Sequence, residues 1–217
     1  MAHKGQQDFI ALVRREFRDY FSHKHVLEIG SLDINGSIRS QFIDCTYTGI
    51  DVAPGPGVDV VCQGQDYDAP DDSYDVVISC EVMEHNPHWA ETMKNMVRVC
   101  RPGGLVVMTC ATLGRGEHGT ARTSPDSSPL TVELGWNYYR NLTARDFKKA
   151  GATEGLCCMF ACNWKSHDLY MLGIKGTAGS ESLAKLSAIQ KQYRAAHWSH
   201  WSAVRRAAKA ILLNKRN

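Results

Sequence analysis

An α/β domain built on a largely parallel sheet is predicted by three features of the 217-residue chain. Short apolar runs of strand length alternate with amphipathic stretches of helical spacing. One run, Tyr74 to Cys80 (YDVVISC), is almost continuously apolar, as a strand covered on both faces must be. The first run closes on a glycine and the second on an acid, the place where such sheets hold nucleotide-like ligands.

Taken in order, Gln6 to Phe21 carries Phe9, Ile10, Val13, Phe17 and Tyr20 on one face, which predicts a helix. Strands follow at Val26 to Gly30, Tyr47 to Asp51, Val58 to Val61 and Tyr74 to Cys80. A helix is expected from about His88 to Val99, stopped by the turn Arg101-Pro102-Gly103-Gly104. Leu105 to Cys110 is the fifth strand. From Thr112 to Trp136 the periodicity fails, and a stretch this long without pattern inside a domain is usually functional. Thr143 then fits an N-cap with Asp146 in the first turn of a helix closed by Gly151. Glu154 to Cys162 and Asp168 to Ile174 make a final pair of strands. Beyond a linker at Gly173 to Ser180, an apolar stripe from Leu183 to Ile211, with Trp201 on it and Trp198 beside it, predicts an amphipathic helix or two.

Composition narrows the class. With 43% apolar and 22% charged residues, the chain is neither a disordered tail, a collagen repeat nor a disulfide scaffold. Its longest apolar run, Leu105 to Leu113, is far below the roughly 20 residues that span a bilayer. Met1-Ala2-His3-Lys4-Gly5 has no apolar h-region, so a cytoplasmic protein is expected. The eight cysteines form no CxxC pair, and Cys157, Cys158 and Cys162 read as buried reduced thiols. The net charge of +2 hides an asymmetry: residues 181–217 hold eight Lys/Arg against one acid. Residues 1–176 therefore read as one domain and 177–217 as a basic amphipathic tail, buried on the domain or on a second copy in a homodimer.

Five short motifs fall in register: Leu27-Glu28-Ile29-Gly30, Gly49-Ile50-Asp51, Asp72-Ser73-Tyr74-Asp75-Val76-Val77, Glu81-Val82-Met83-Glu84-His85 and Arg101-Pro102-Gly103-Gly104. Over about residues 20–175 this pattern resembles the class I S-adenosylmethionine-dependent methyltransferases, of the group that includes quinone- and sugar-tailoring enzymes. The resemblance implies a Rossmann-like seven-stranded sheet with the last strand antiparallel, here followed by a C-terminal helical extension. It implies S-adenosylmethionine as cofactor. Glu28, Gly30 and Ser31 would lie against the methionine moiety, Asp51 on the ribose and Val52 on the adenine. Gly64 and Gln65 would approach the adenine amino group, and Cys80 and Glu81 would border the methionine end. The glycine triplet of the family keeps only its first member, with Leu32 and Ile34 in the other two places.

A sulfonium methyl is already electrophilic, so such an enzyme mainly aligns the nucleophile, with a base where the nucleophile is a hydroxyl. His85 and His118 are the candidates for that base. Glu81-x-x-Glu84-His85 with His118 downstream is similar in spacing to the metal ligands of small-RNA 3′-terminal 2′-O-methyltransferases. The same acid–histidine pair occurs in metal-free relatives, and the reading taken is that no metal is held. The acceptor pocket is expected from residues 112–141, with Arg115, Arg122, Trp136, Asn137, Tyr138, Tyr139 and Arg140 suited to a sugar or nucleotide. The function expected is O-methylation of a small polar acceptor, most readily a sugar or glycan-biosynthetic intermediate. The alternatives are an RNA- or nucleotide-directed methyltransferase anchored by the tail, and a binding module that has lost methyl transfer.

Overall fold

The computed structural model describes residues 4–34 and 36–196. Seven strands form one sheet: β1 His25–Ile29, β2 Thr46–Asp51, β3 Val60–Val61, β4 Tyr74–Cys80, β5 Cys100–Ala111, β6 Leu156–Asn163 and β7 Asp168–Lys175. Their order is β3-β2-β1-β4-β5-β7-β6. The first five run parallel, and β7 lies antiparallel between β5 and β6. The helices are α1 Lys4–Glu16, α2 Trp89–Val99, α3 Pro129–Glu133, α4 Ala144–Lys149 and α5, which covers 180–196.

Side chains alternate across the sheet, so each strand feeds two cores. Val26, Val76, Ile78, Leu105, Val107, Tyr170 and Leu172 face α1 (Phe9, Ile10, Val13) and α5 (Leu186, Ile189). Leu27, Ile29, Val77, Val106 and Met171 face α2 (Met93, Met96, Val97) and Phe147 of α4. The α5 helix is tied in further by Gln190, whose side-chain amide donates to the Phe160 carbonyl at 3.0 Å. Tyr193 sets its ring edge-on to Phe9 and Tyr170. The remainder of the apolar stripe, with Trp198 and Trp201, lies outside the described residues, as does any homodimer contact it makes. Among the described residues no helix is long and apolar enough to cross a membrane.

The structure departs from the sequence reading in two places that matter for the site. After β1 no α-helix forms; the crossover to β2 holds only a 3-10 turn at Arg39–Gln41. Backbone bonds take the helix's place, with Asp33 N–H donating to the Pro56 carbonyl at 2.8 Å and Ile43 N–H to Phe21 at 2.8 Å. The second departure is at Arg101-Pro102-Gly103-Gly104, read as a turn before the strand. It is a bulge within β5, because Tyr74 pairs with Cys100 and Val76 with Leu105. The expected N-cap of α4 is present as a capping box, Thr143 and Asp146 satisfying each other's backbone N–H groups.

Candidate active site

A cleft opens at the C-terminal ends of β1, β2 and β4, where the strand order reverses direction, and encloses about 640 Å³ up to its open mouth. One wall is the first two crossovers: Ile29, Gly30, Leu32, Ile34, Asp51, Val52, Cys62 and Gly64. The other is the turn after β4 (Glu81, Val82, His85, Asn86) and one stretch of the irregular segment (Ser127 to Thr131, and Trp136).

Asp51 is the anchor of the first wall. Its buried carboxylate accepts Leu32 N–H at 3.0 Å through Oδ2 and Val52 N–H at 2.8 Å through Oδ1. Burial raises its pKa, and the two backbone bonds work against that rise. Each oxygen keeps a further lone pair for a ligand hydroxyl. These bonds explain how the first loop closes with Leu32 and Ile34 where its relatives have glycine: the second crossover, not a run of glycines, holds it. Gly30 itself has φ +78, and a Cβ there would run into Val82.

Of the nine residues expected to meet the cofactor, Gly30, Asp51, Val52, Gly64 and Glu81 line the cleft, and Glu28, Ser31, Gln65 and Cys80 do not. Glu28 points with Val26 to the α1 face of the sheet and accepts the Tyr47 phenol at 2.8 Å. Burial, opposed by that bond, raises its pKa to about 7. Cys80 lies on the same face as Val76 and Ile78, inside the α1 core. Ser31 packs against β2, its Oγ 2.7 Å from where a Gly49 Cβ would stand. Gln65 turns to Gln63, Asp66 and Thr92.

The two histidines come together. The His85 and His118 rings lie edge-to-face with centroids 5.0 Å apart, and Tyr139 is 5.0 Å from His118 and 5.5 Å from His85. Only His85 lines the cleft. Burial first, and His118 second, lower the His85 pKa to about 3, so its imidazole is neutral and a weak base. Beside it Glu84 is fully buried; Ala111 N–H donates to its Oε1 at 3.0 Å. Burial and the Glu81 carboxylate push the Glu84 pKa well up.

Sequence reasoning missed Asn86, Ser127, Ser128 and Thr131, which carry no periodic or motif signal. It placed too many residues of the 112–141 segment in the pocket. Arg115 donates to the Ser166 carbonyl and Asp168, Arg122 pairs with Glu117, and Arg140 with Asp146. Tyr138 packs into the α2 core. Asn137 accepts Ala121 N–H through its side-chain oxygen.

Gly119 sets the distance between loop and histidine. At φ +63, a Cβ would stand 2.6 Å from His85 Cε1 and 2.7 Å from Ser128 Cβ. Gly119→Ala should therefore cost about 2 kcal/mol from the left-handed backbone and the clash together. For a chain of this size that lowers Tm by roughly 4–8 °C. Gly116→Ala, whose Cβ would meet nothing within 4 Å, is the control and should leave Tm where it is. Equal melting of the two variants would show that the loop yields freely.

A methyltransferase-domain family matches residues 1–141. An uncharacterized methyltransferase from Mycobacterium ulcerans is 42% identical over 57 residues, 26% of this chain and 22% of its own length. Among solved structures, phosphoethanolamine N-methyltransferase 2 of Haemonchus contortus, in complex with S-adenosylmethionine, superposes with a TM-score of 0.55 at 14% identity. The match covers 80% of this chain and 53% of that one, so the chain spans about half of that protein's length. The 1,6-didemethyltoxoflavin N1-methyltransferase of Burkholderia thailandensis, with S-adenosylhomocysteine bound, gives 0.50 at 13% identity, covering 82% and 92%. The sheet order, the motifs in register and the family match converge: the chain belongs to the methyltransferase-domain family and is a class I S-adenosylmethionine-dependent methyltransferase.

Proposed function

We propose that the protein transfers the methyl group to an oxygen of a small, neutral, hydroxyl-rich acceptor such as a sugar. In this reading the ribose hydroxyls of S-adenosylmethionine bond to Asp51, Val52 packs on the adenine beside Gly64, and Glu81 faces the ammonium end. Glu28, Ser31, Gln65 and Cys80 support those positions from behind. Residues 1–176 make up the catalytic domain and 177–217 the basic extension. The sulfonium methyl then points toward His85 and Asn86, and the acceptor lies between that turn and Ser127, Ser128, Thr131 and Trp136. The His85–His118 pair receives the acceptor hydroxyl. The rate comes mainly from holding that oxygen in line with the methyl carbon.

One observation carries the choice of acceptor. The wall opposite Asp51 is neutral and polar, while Arg115, Arg122 and Arg140 are engaged with Asp168, Glu117 and Asp146. A phosphorylated acceptor would want a free guanidinium fork there. A hydroxylated ring, by contrast, suits an aromatic face flanked by Ser, Thr and Asn.

The test is methyl transfer from labelled S-adenosylmethionine to a set of monosaccharides and glycosides, their phosphates, and phosphoethanolamine. Neutral hydroxylated compounds should be labelled on oxygen, as mass spectrometry and NMR of the product will show. Transfer only to the phosphates, or only to the amine, would overturn the reading.

A further inference from the structure

We propose that Glu84, His85 and His118 form a divalent-cation site at the acceptor end of the cleft, suited to zinc, iron(II), cobalt(II) or manganese(II). Each residue offers one ligand atom, and the three atoms lie within 4.8 Å of one another. Metal–ligand bonds near 2.1 Å put opposed ligands about 4.2 Å apart, so an ion needs to draw the set in by roughly half an ångström. Rotations of three side chains on two loops supply that.

Two further observations point to a ligand. Glu84 is fully buried and uses Oε1 for Ala111 N–H, yet its buried Oε2 has no hydrogen-bond partner. His85 is 4% exposed, and its buried Nδ1 likewise has none. Leaving one such atom unsatisfied costs about 1–3 kcal/mol, and here two stand in adjacent residues beside a third ligand. His118 is prepared for the role. Its Nδ1 lies 3.0 Å from the Gly116 carbonyl, which only accepts, so the proton sits on Nδ1 and the Nε2 lone pair is left for a metal. Tyr139 donates to the same carbonyl at 3.1 Å and fixes it in place.

Two imidazoles and one carboxylate select the ion. Magnesium and calcium take oxygen ligands, whereas this donor set belongs to borderline ions and leaves coordination positions open. His85 lines the cleft, so the open positions face the acceptor. An acceptor hydroxyl bound there would be acidified by the cation, and the histidines would serve as ligands rather than bases. The site goes beyond the methyl-transfer reading, and its failure leaves that reading standing.

The test is titration of the full chain, first stripped with a chelator, with cobalt(II) chloride. One equivalent should bind and give visible d–d absorption without the near-ultraviolet thiolate band that any of the eight cysteines would produce. His118→Ala should weaken binding by about 100-fold or more, since even an outer-shell partner is worth up to that factor. Glu84→Gln should do the same, and His167→Ala, outside the cluster, should bind as the parent does. Near-ultraviolet circular dichroism checks that each variant is folded, and His118→Gln replaces any that is not. Absent stoichiometric absorption, a thiolate band, or undiminished binding in the His118 and Glu84 variants would overturn the site. S-adenosylhomocysteine titrated into the same samples reports on the cofactor pocket separately.

Discussion

Asp51→Ala should weaken S-adenosylhomocysteine binding by about 100-fold, with little loss of Tm. Hydrogen bonds to a charged acceptor are worth about 1.5–3 kcal/mol each, and the ribose offers two hydroxyls. The loss has a second source. The same carboxylate holds Leu32 N–H and Val52 N–H, so its removal frees both crossovers that wall the cleft. Asp51→Asn keeps one oxygen and should fall between the two. Calorimetric titration is the measurement, and an unchanged Kd in the alanine variant would remove Asp51 from the ribose.

The next largest effect concerns stability. Glu28 titrates at about 7 in the folded chain against an ordinary value of 4.5. The folded protein therefore binds more protons than the unfolded chain between those pH values. The stability tied to the protonated carboxyl is complete below 4.5 and is lost as pH rises toward 7, above which a penalty of about 3 kcal/mol persists. Glu28→Gln cannot ionise, and its amide oxygen still accepts the Tyr47 phenol. Chemical denaturation should find the variant more stable than the parent by up to about 3 kcal/mol at pH 8, and by less than about 1 kcal/mol at pH 5. A constant difference across that range would show that Glu28 does not titrate as its burial requires.

Much of the frame could be read from residue patterns. Tyr74 to Cys80 was bounded to the residue because a strand buried on both faces leaves no ambiguity about where its apolar run stops. The start of β5 was misplaced because Pro102, Gly103 and Gly104 read as a stop, and a bulge uses the same residues without leaving the sheet. The helix expected near Gly36 is missing for a reason no local signal holds: Pro56 and Asp51, far along the chain, bond the loop that would have become it. In the site, the end-of-strand rule found Asp51 and Gly30. Glu28 and Cys80 were assigned to the cleft by motif, although strand alternation already put them on the faces of Val26 and Ile78. Ser128 and Thr131 were out of reach, since loop residues meet the cleft through a tertiary path with no period to betray it.

The missing first helix also acts as an electrostatic filter. In dinucleotide-binding sheets the helix after the first strand aims its positive end, and its free N–H groups, at a pyrophosphate. Here that position holds a three-residue 3-10 turn at Arg39–Gln41, too short to sum a dipole, and the nearest fixed charge on the cleft wall is the carboxylate of Asp51. Such a loop gives an anionic diphosphate no anchor and a sulfonium or ammonium no repulsion. Nicotinamide and flavin dinucleotides are thereby turned away at the first loop, and a cationic nucleoside passes.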